Sequence, residues 1–240
     1  MAANNIGVIY IQRYKFQVYS PALQGVLEFV YVPELVKDME VVNKDLFVNI
    51  VKIFIENNKI PVCNLIIVLS DNACFIKDFV GEDQEKLKVS AQMFADHTPF
   101  ENVSSKTFSI SNGIRVFATN KELYETIQEA FEGAKFTVEA VIPGFLMGEG
   151  VNTISDITPP TANLMVQKLN AVRQYSLLRP DMEFVKAEEK IAEANEEKSN
   201  FTISSGPSDK KRLFLLVGVF AVLIIALVVV YLINYPIHPK

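Results

Sequence analysis

Apolar and polar positions along the first 150 residues follow two rhythms, one of period two and one of helical period. Residues 6–11 are β-branched and apolar, residues 15–20 alternate polar with apolar, and residues 26–32 follow a turn at Gly25. These patterns predict three successive strands. Asn43 is a good N-cap, and Leu46, Phe47, Ile50, Val51, Phe54 and Ile55 then recur at helical spacing. Pro61 marks the exit, and the run 62–69, apolar except for Asn64, predicts a strand covered on both faces. Residues 84–96 predict an amphipathic helix burying Leu87, Ala91 and Phe94, stopped by Pro99.

Residues 106–111 and 114–119 flank Asn112-Gly113, a dipeptide suited to the positive φ angles of a type I′ hairpin turn. Thr119-Asn120-Lys121-Glu122 has a capping-box pattern for a helix that turns Leu123, Ile127, Ala130 and Phe131 inward and ends at Gly133. Residues 136–142 form one more predicted strand. The order βββαβ, αββαβ predicts a mixed α/β domain over about residues 4–150.

Beyond it the character changes. Pro159-Pro160 and a Glu/Lys/Ala stretch predict a connecting segment with helical parts over 151–198. Within that segment, 181–198 is a charged helix former with Phe184, Ala187, Ile191 and Ala194 as a thin apolar stripe, fitting either a partner helix or a solvated spacer. Residues 199–212, with Ser204-Ser205-Gly206-Pro207-Ser208, read as a flexible neck ending in Lys210, Lys211 and Arg212. Residues 213–233, LFLLVGVFAVLIIALVVVYLI, carry no charge; at the helical rise they extend about 31 Å, the thickness of a bilayer's hydrocarbon core. A transmembrane helix is expected there, with the lipid bilayer as a partner. The basic residues before it place the N-terminal part in the cytoplasm and residues 234–240 outside as a short tail. The start shows no basic-then-apolar signal pattern. Gly218, Ala221 and Ala226 form no GxxxG, so self-association through lipid is possible without being strongly encoded.

The 240 residues carry a net charge of −5 and a mean hydropathy of +0.21, the latter owed to the one apolar run. The acidic balance argues against nucleic acid as a partner, since phosphate binding needs concentrated Lys and Arg. Cys63 and Cys74 are too few for a disulfide framework, and with His97 and His238 alone a histidine-built metal centre is not expected. His97 sits at a helix end, where it suits the dipole better than general-base work. Asp71-Asn72 reads as a turn former, residues 80–85 lack calcium-loop spacing, and 144–150 (GFLMGEG) lacks the basic residue of a phosphate loop and reads as a loop at the domain edge. Asn102 and Asn200 match glycosylation acceptors only by chance if the domain is cytoplasmic. No catalytic, cofactor-binding or metal-binding residue is assigned, and no small-molecule substrate is expected.

A family resemblance enters through residues 84–147. A helix precedes His97-Thr98-Pro99-Phe100, an Asn-Gly hairpin, Phe117-Ala118-Thr119-Asn120-Lys121-Glu122-Leu123, and then Val138-Glu139-Ala140-Val141-Ile142-Pro143-Gly144-Phe145. Order and spacing resemble the N-terminal half of PilM, the actin-like (ribonuclease H-like) protein of type IV pilus assembly, over about residues 6–150. A cytoplasmic actin-like part followed by one span is also similar to the GspL topology of type II secretion. The family's first strand ends in a D-I-G-S-S-S loop whose backbone N–H groups reach phosphates. Here Tyr10 stands at the Asp position and Gln12 at the glycine position, with Arg13, Tyr14 and Lys15 following, so the resemblance implies half of an actin-like fold with nucleotide binding lost. Residues 175–180, YSLLRP, resemble the N-L-L-P peptide by which PilN-type proteins dock into PilM, and could be a tethered ligand for the domain's own groove or a neighbour's.

The expected function is a non-enzymatic, single-span adaptor or scaffold at the cytoplasmic face of the inner membrane, with pilus or secretion platform proteins as partners. Two other readings stand beside it: a nucleotide-binding component completed by a partner chain, and a tail-anchored trafficking protein.

Overall fold

A computed structural model describes residues 6–179 apart from 24, 82, 149, 150, 152 and 153. The charged helix, neck, membrane span and tail expected over 181–240 lie outside the described residues. Among the described residues, no helix is long and apolar enough to cross a membrane.

The chain opens with β1 (Ile6–Ile11), β2 (Lys15–Tyr19) and β3 (Val26–Val30), an antiparallel meander. A two-residue-strand hairpin, β4 (Val36–Lys37) and β5 (Glu40–Val41), leads to helix α1 (Lys44–Asn57). Strand β6 (Asn64–Leu69) then runs parallel to β1. The order matches the predicted βββαβ apart from the small β4–β5 hairpin. Next come β7 (Phe75–Val80), helix α2 (Gln84–Asp96), β8 (Val103–Ile110), β9 (Gly113–Asn120), helix α3 (Lys121–Gly133), β10 (Thr137–Pro143) and helix α4 (Pro159–Val172). The result is a mixed α/β fold with a five-stranded sheet in the order β10-β6-β1-β2-β3 and a three-stranded sheet β7-β9-β8.

Capping follows the sequence closely. Asn43 accepts from Leu46 N, Asp83 from Lys86 N, and Asn120 from Leu123 N, so each helix start gains a side-chain acceptor for an otherwise orphan donor. At α3 the cap is Asn120 alone, because the Thr119 hydroxyl donates instead to Ala73 O (3.0 Å).

Three details differ from the pattern reading. Strand β7 is absent from the predicted order, since FIKDFV has four exposed residues and none buried and its alternation is blurred. The 110–113 hairpin has Ser111 and Asn112 as its loop, with Gly113 already paired to Ile110, and no residue of the turn has positive φ. A glycine is needed at 113 because a Cβ there would lie 2.0 Å from Phe79 O on β7. Finally, residues 144–147 are not an edge loop but a buried 3-10 turn, where a Cβ on Gly144 would meet Leu69 O at 2.8 Å.

The core also continues past residue 150. Ala162, Met165, Leu169 and Val172 form one buried stripe of α4, in the same cluster as β1 and β6. Thr158 caps this helix through a capping box with Thr161, and Pro159 occupies the first turn, where its missing N–H is harmless.

Candidate functional site

Strands β1, β6 and β10 are parallel, so their carboxyl ends lie along one edge of the sheet. In open α/β sheets ligands bind off this edge, where strand order changes direction. Here the change falls at β1, between antiparallel β2 and parallel β6.

The β1–β2 hairpin is tight. Gln12 N donates to Lys15 O (2.9 Å), and Arg13 N donates to the Asn72 side-chain carbonyl (3.1 Å). That carbonyl also accepts from Ser70 Oγ (2.6 Å), while Ser70 N bonds Ile11 O (2.9 Å), so the turn after β6 is laced to the hairpin. Asp71-Asn72 therefore acts as the turn former expected.

Residues facing α4 close the site from within. Tyr10, Gln17 and Glu28 pair across the strands and share one face. Buried Tyr10 donates its hydroxyl to Ile154 O (3.2 Å), and buried Gln12 donates to Ser155 O (2.7 Å) and to Gln17 Oε1 (3.3 Å). Gln17 Oε1 takes Ile157 N (2.9 Å), and Gln17 Nε2 donates to Asp156 (2.8 Å) and Glu28 (3.2 Å). Every hydrogen-bonding position of the Gln17 amide is thus used, which makes the buried network self-consistent. Lys15 bridges Asp156 and Glu28 at the rim. Residues 154–157 are thereby strapped across the hairpin end.

Electrostatics fit this description. The Lys15 ammonium holds the Asp156 carboxyl below its ordinary range, and Asp156 and then Glu28 raise the lysine in turn. Burial, reinforced by the Asp71 carboxylate, pushes the Tyr10 phenol up, so it remains a donor. Burial also raises Asp71, against an opposing pull from Arg115, and its Oδ1 has no hydrogen-bond partner among the described residues.

Chemical groups for catalysis are poorly placed. Burial raises both Cys63 and Cys74, which disfavours the reactive thiolate. His97 caps α2 and its Nδ1 lies 2.6 Å from Met93 O, in the helix-end role expected. Among the described residues no group of three or more His, Cys, Asp or Glu is arranged to hold a metal ion.

Tyr10, Gln12 and Lys15 enter the sequence analysis only as departures from the family's phosphate loop, and Gln17, Asp156 and the strap do not enter it. The polar residues of β2 looked like a solvent face, because the helix covering them lies beyond the expected domain boundary. Thr158-Pro159-Pro160-Thr161, read as a linker onset, was the available signal, since proline just inside a capped start marks a helix.

No family model matches this sequence, and no curated protein matches it. Solved structures do match in part. The chain is similar to the PilM-PilN type IV pilus biogenesis complex over 60% of its own length and 48% of that chain, at 13% identity and a TM-score of 0.39. It is similar to the cytoplasmic domain of EpsL, an inner membrane component of the type II secretion system of Vibrio cholerae, over 59% and 58%, at 10% identity and 0.34. A Bacteroides thetaiotaomicron protein with an actin-like ATPase fold and unknown function matches over 59% and 52%, at 13% identity and 0.34. The chain spans roughly half to three-fifths of each of these proteins. These are partial likenesses of fold, and the description of the site rests on its own geometry.

Proposed function

We propose that the protein is a non-enzymatic adaptor, moored by residues 213–233 at the cytoplasmic face of an inner membrane, that joins components of a pilus or secretion assembly platform. The observation that carries this reading is the occupied hairpin end. A phosphate held there would need free backbone N–H groups. Gln12 N and Arg13 N are already engaged, and the strap presents Ile154 O, Ser155 O and the Asp156 carboxylate to the same place. All are acceptors, and the one rim lysine is spent on two carboxylates. An incoming anion finds the Gln12 and Arg13 amides already taken there.

Holding two binding surfaces on one membrane raises their effective concentration to the order of millimolar without any new contact. The choice of assembly follows the motif resemblance of residues 84–147; a PilM-PilN complex and an inner membrane secretion component are among the similar structures.

The test is made on the full chain in lipid nanodiscs. Titration with a fluorescent ATP analogue and Mg²⁺ is expected to give no saturable signal; saturable binding that disappears in Gln12→Ala would overturn the reading. In cells, protease added from the cytoplasmic side is expected to digest the folded part and spare a tag placed after residue 240. Deletion of the gene is expected to abolish pilus display or secretion, with rescue by the full chain and not by one cut before residue 213.

A further inference from the structure

The outer edges of the two sheets are finished differently. On β10, Leu177 N from the segment after α4 donates to Val141 O (2.9 Å), and Lys106 of β8 donates to Ser176 O in the same segment (3.2 Å). β7, the opposite edge of the three-stranded sheet, pairs among the described residues with β9 alone. It runs six residues in unbroken register, with no proline and no buried residue. Such an edge is a template for another strand unless something guards it.

The pairing fixes which groups face outward. Gly81 N donates to Asn112 O (3.0 Å), so these two residues form a hydrogen-bonded pair one step beyond Val80 and Gly113. Bonded and non-bonded pairs alternate along an antiparallel ladder. Phe79, Lys77 and Phe75 therefore direct their backbone groups to β9, while Val80, Asp78 and Ile76 turn theirs to the open side.

Above that ladder stands a shelf. Phe79 meets Phe94 of α2 edge-on with centroids 6.2 Å apart, beside the small cluster of Leu87, Ala91, Ile114 and Val116. Phe94 thus marks the flank of α2 that overlooks β7. At about 100° per residue, Met93 lies next to it around the helix and Val89 one turn before Met93, and both are exposed. The groove also holds one charge. Lys77 shares the face of Phe79, its ammonium 5.1 Å from that ring's centroid, and makes no ion pair among the described residues. Asp78 faces the other way, held by Arg115 through two bonds of 2.7 Å. β7 therefore gives the groove a cation without a counter-ion.

We infer that the groove between β7 and α2 docks an extended segment of a partner protein as a fourth strand, one that carries a carboxylate with an apolar side chain two residues away on each side. Residues opposite one another in a sheet share a face, so the carboxylate stands opposite Lys77 and the apolar pair opposite Phe75 and Phe79. The partner residues opposite Asp78 and Ile76 carry the bonding amides. Backbone pairing holds a strand of any sequence, and Lys77 selects among them. A wholly apolar strand would cover the ammonium without pairing it, and a second copy's β7, added about a two-fold axis, would bring another lysine to the same face. The inference deepens the adaptor reading and rests on it for the partner's role alone. Binding is read without nucleotide, pilus or secretion, so the two fail separately.

The probe is a fluorescein-labelled Thr-Val-Thr-Glu-Thr-Val-Thr peptide, titrated by anisotropy into the full chain in lipid nanodiscs. Saturable binding below about 1 mM is expected. Exchanging the peptide's glutamate for lysine is expected to weaken binding at least about threefold, and Lys77→Glu to reverse that preference. N-methylation of the two threonines flanking the glutamate is expected to abolish binding, and N-methylation of the valines to leave it intact, because only the threonine amides face β7. On binding, the amides of Ile76, Asp78 and Val80 are expected to exchange at least about tenfold more slowly, with those of β3 unchanged. The peptide series and the exchange measurement need no variant. No saturation, equal affinity for the glutamate and lysine peptides, or equal effects of the two N-methylation patterns would overturn the inference. So would a dimer of the chain cross-linked from β7 to β7, since a second copy would then be the occupant.

Discussion

The two faces of the five-stranded sheet are made by the same strands and have opposite chemistry. On the side of α1 and α3, Ile11, Phe16 and Phe29 line up across β1, β2 and β3. Phe16 stacks on Phe29 at 4.8 Å and meets Phe54 of α1 and Phe131 of α3 edge-on. No directional bond is needed there; area and ring geometry suffice. On the side of α4, the apolar stripe of that helix packs over part of the sheet, and beside it the same strands present Tyr10, Gln17 and Tyr19, each hydrogen-bonded to a specific atom: Ile154 O, Ile157 N, Asn163 Oδ1. The dry face supplies stability, and the wet face decides which segment of chain lies across the hairpin end.

If that division holds, breaking the two faces has different consequences. Phe16→Ala is expected to have the largest effect, a loss of about 3–5 kcal/mol from cavity and transfer terms together. Against a typical total of roughly 5–15 kcal/mol it brings the fold near its limit, as a thermal or urea midpoint will show. Gly113→Ala strikes outside both faces. Its methyl group would press on Phe79 O, so a loss of about 1–3 kcal/mol is expected, with faster amide exchange in β7 and β9 while β1 and β6 stay protected.

Gln17→Ala is expected to lose about 1–3 kcal/mol by leaving Ile157 N unpaired and taking one of two acceptors from Gln12 Nε2, and to release residues 154–157 to proteolysis before the core opens. Equal loss of strap and core protection would erase the distinction between the faces.

The smallest effect is expected at the rim. Lys15 depresses the Asp156 carboxyl, so the pair's contribution is present above the ordinary carboxylate range and fades as pH falls through the lowered folded value. Because Asp156 is half exposed, the loss in Asp156→Asn is expected to stay under about 1 kcal/mol, and the variant's stability should depend less on pH below about 4 than that of the wild type. A flatter wild-type profile would show that the ion pair contributes nothing.

Much of the dry face was legible from residue order. The spacing of Phe47, Val51 and Ile55 and the apolar residues 65–69 point inward by pattern alone and are buried, and Asn43 caps its helix as its residue type suggests. The wet face was not. Gln17 lies between Phe16 and Val18, so local alternation turns it outward toward presumed solvent; nothing nearby says that a helix 140 residues later will cover it. The same holds for Gly113, whose dipeptide names a turn although the constraint is the approach of β7 from another part of the chain. His97 shows the reverse case: its role depends only on the turn of helix before it, and the local pattern sufficed.

Local sequence alone determined the helices, their caps, most strands and the absence of a phosphate-type loop after β1, because each depends on neighbours within a few residues. Only tertiary structure decided that residues 154–157 lie over the hairpin, that α4 belongs to the core, and that Arg173–Tyr175 leads a segment onto the β10 edge. Those outcomes rest on pairings between side-chain amides, hydroxyls and backbone groups far apart in the chain. A hydrogen bond between distant residues leaves no periodic trace in either partner's surroundings, whereas burial of a helix or strand face repeats along the chain and can be read there.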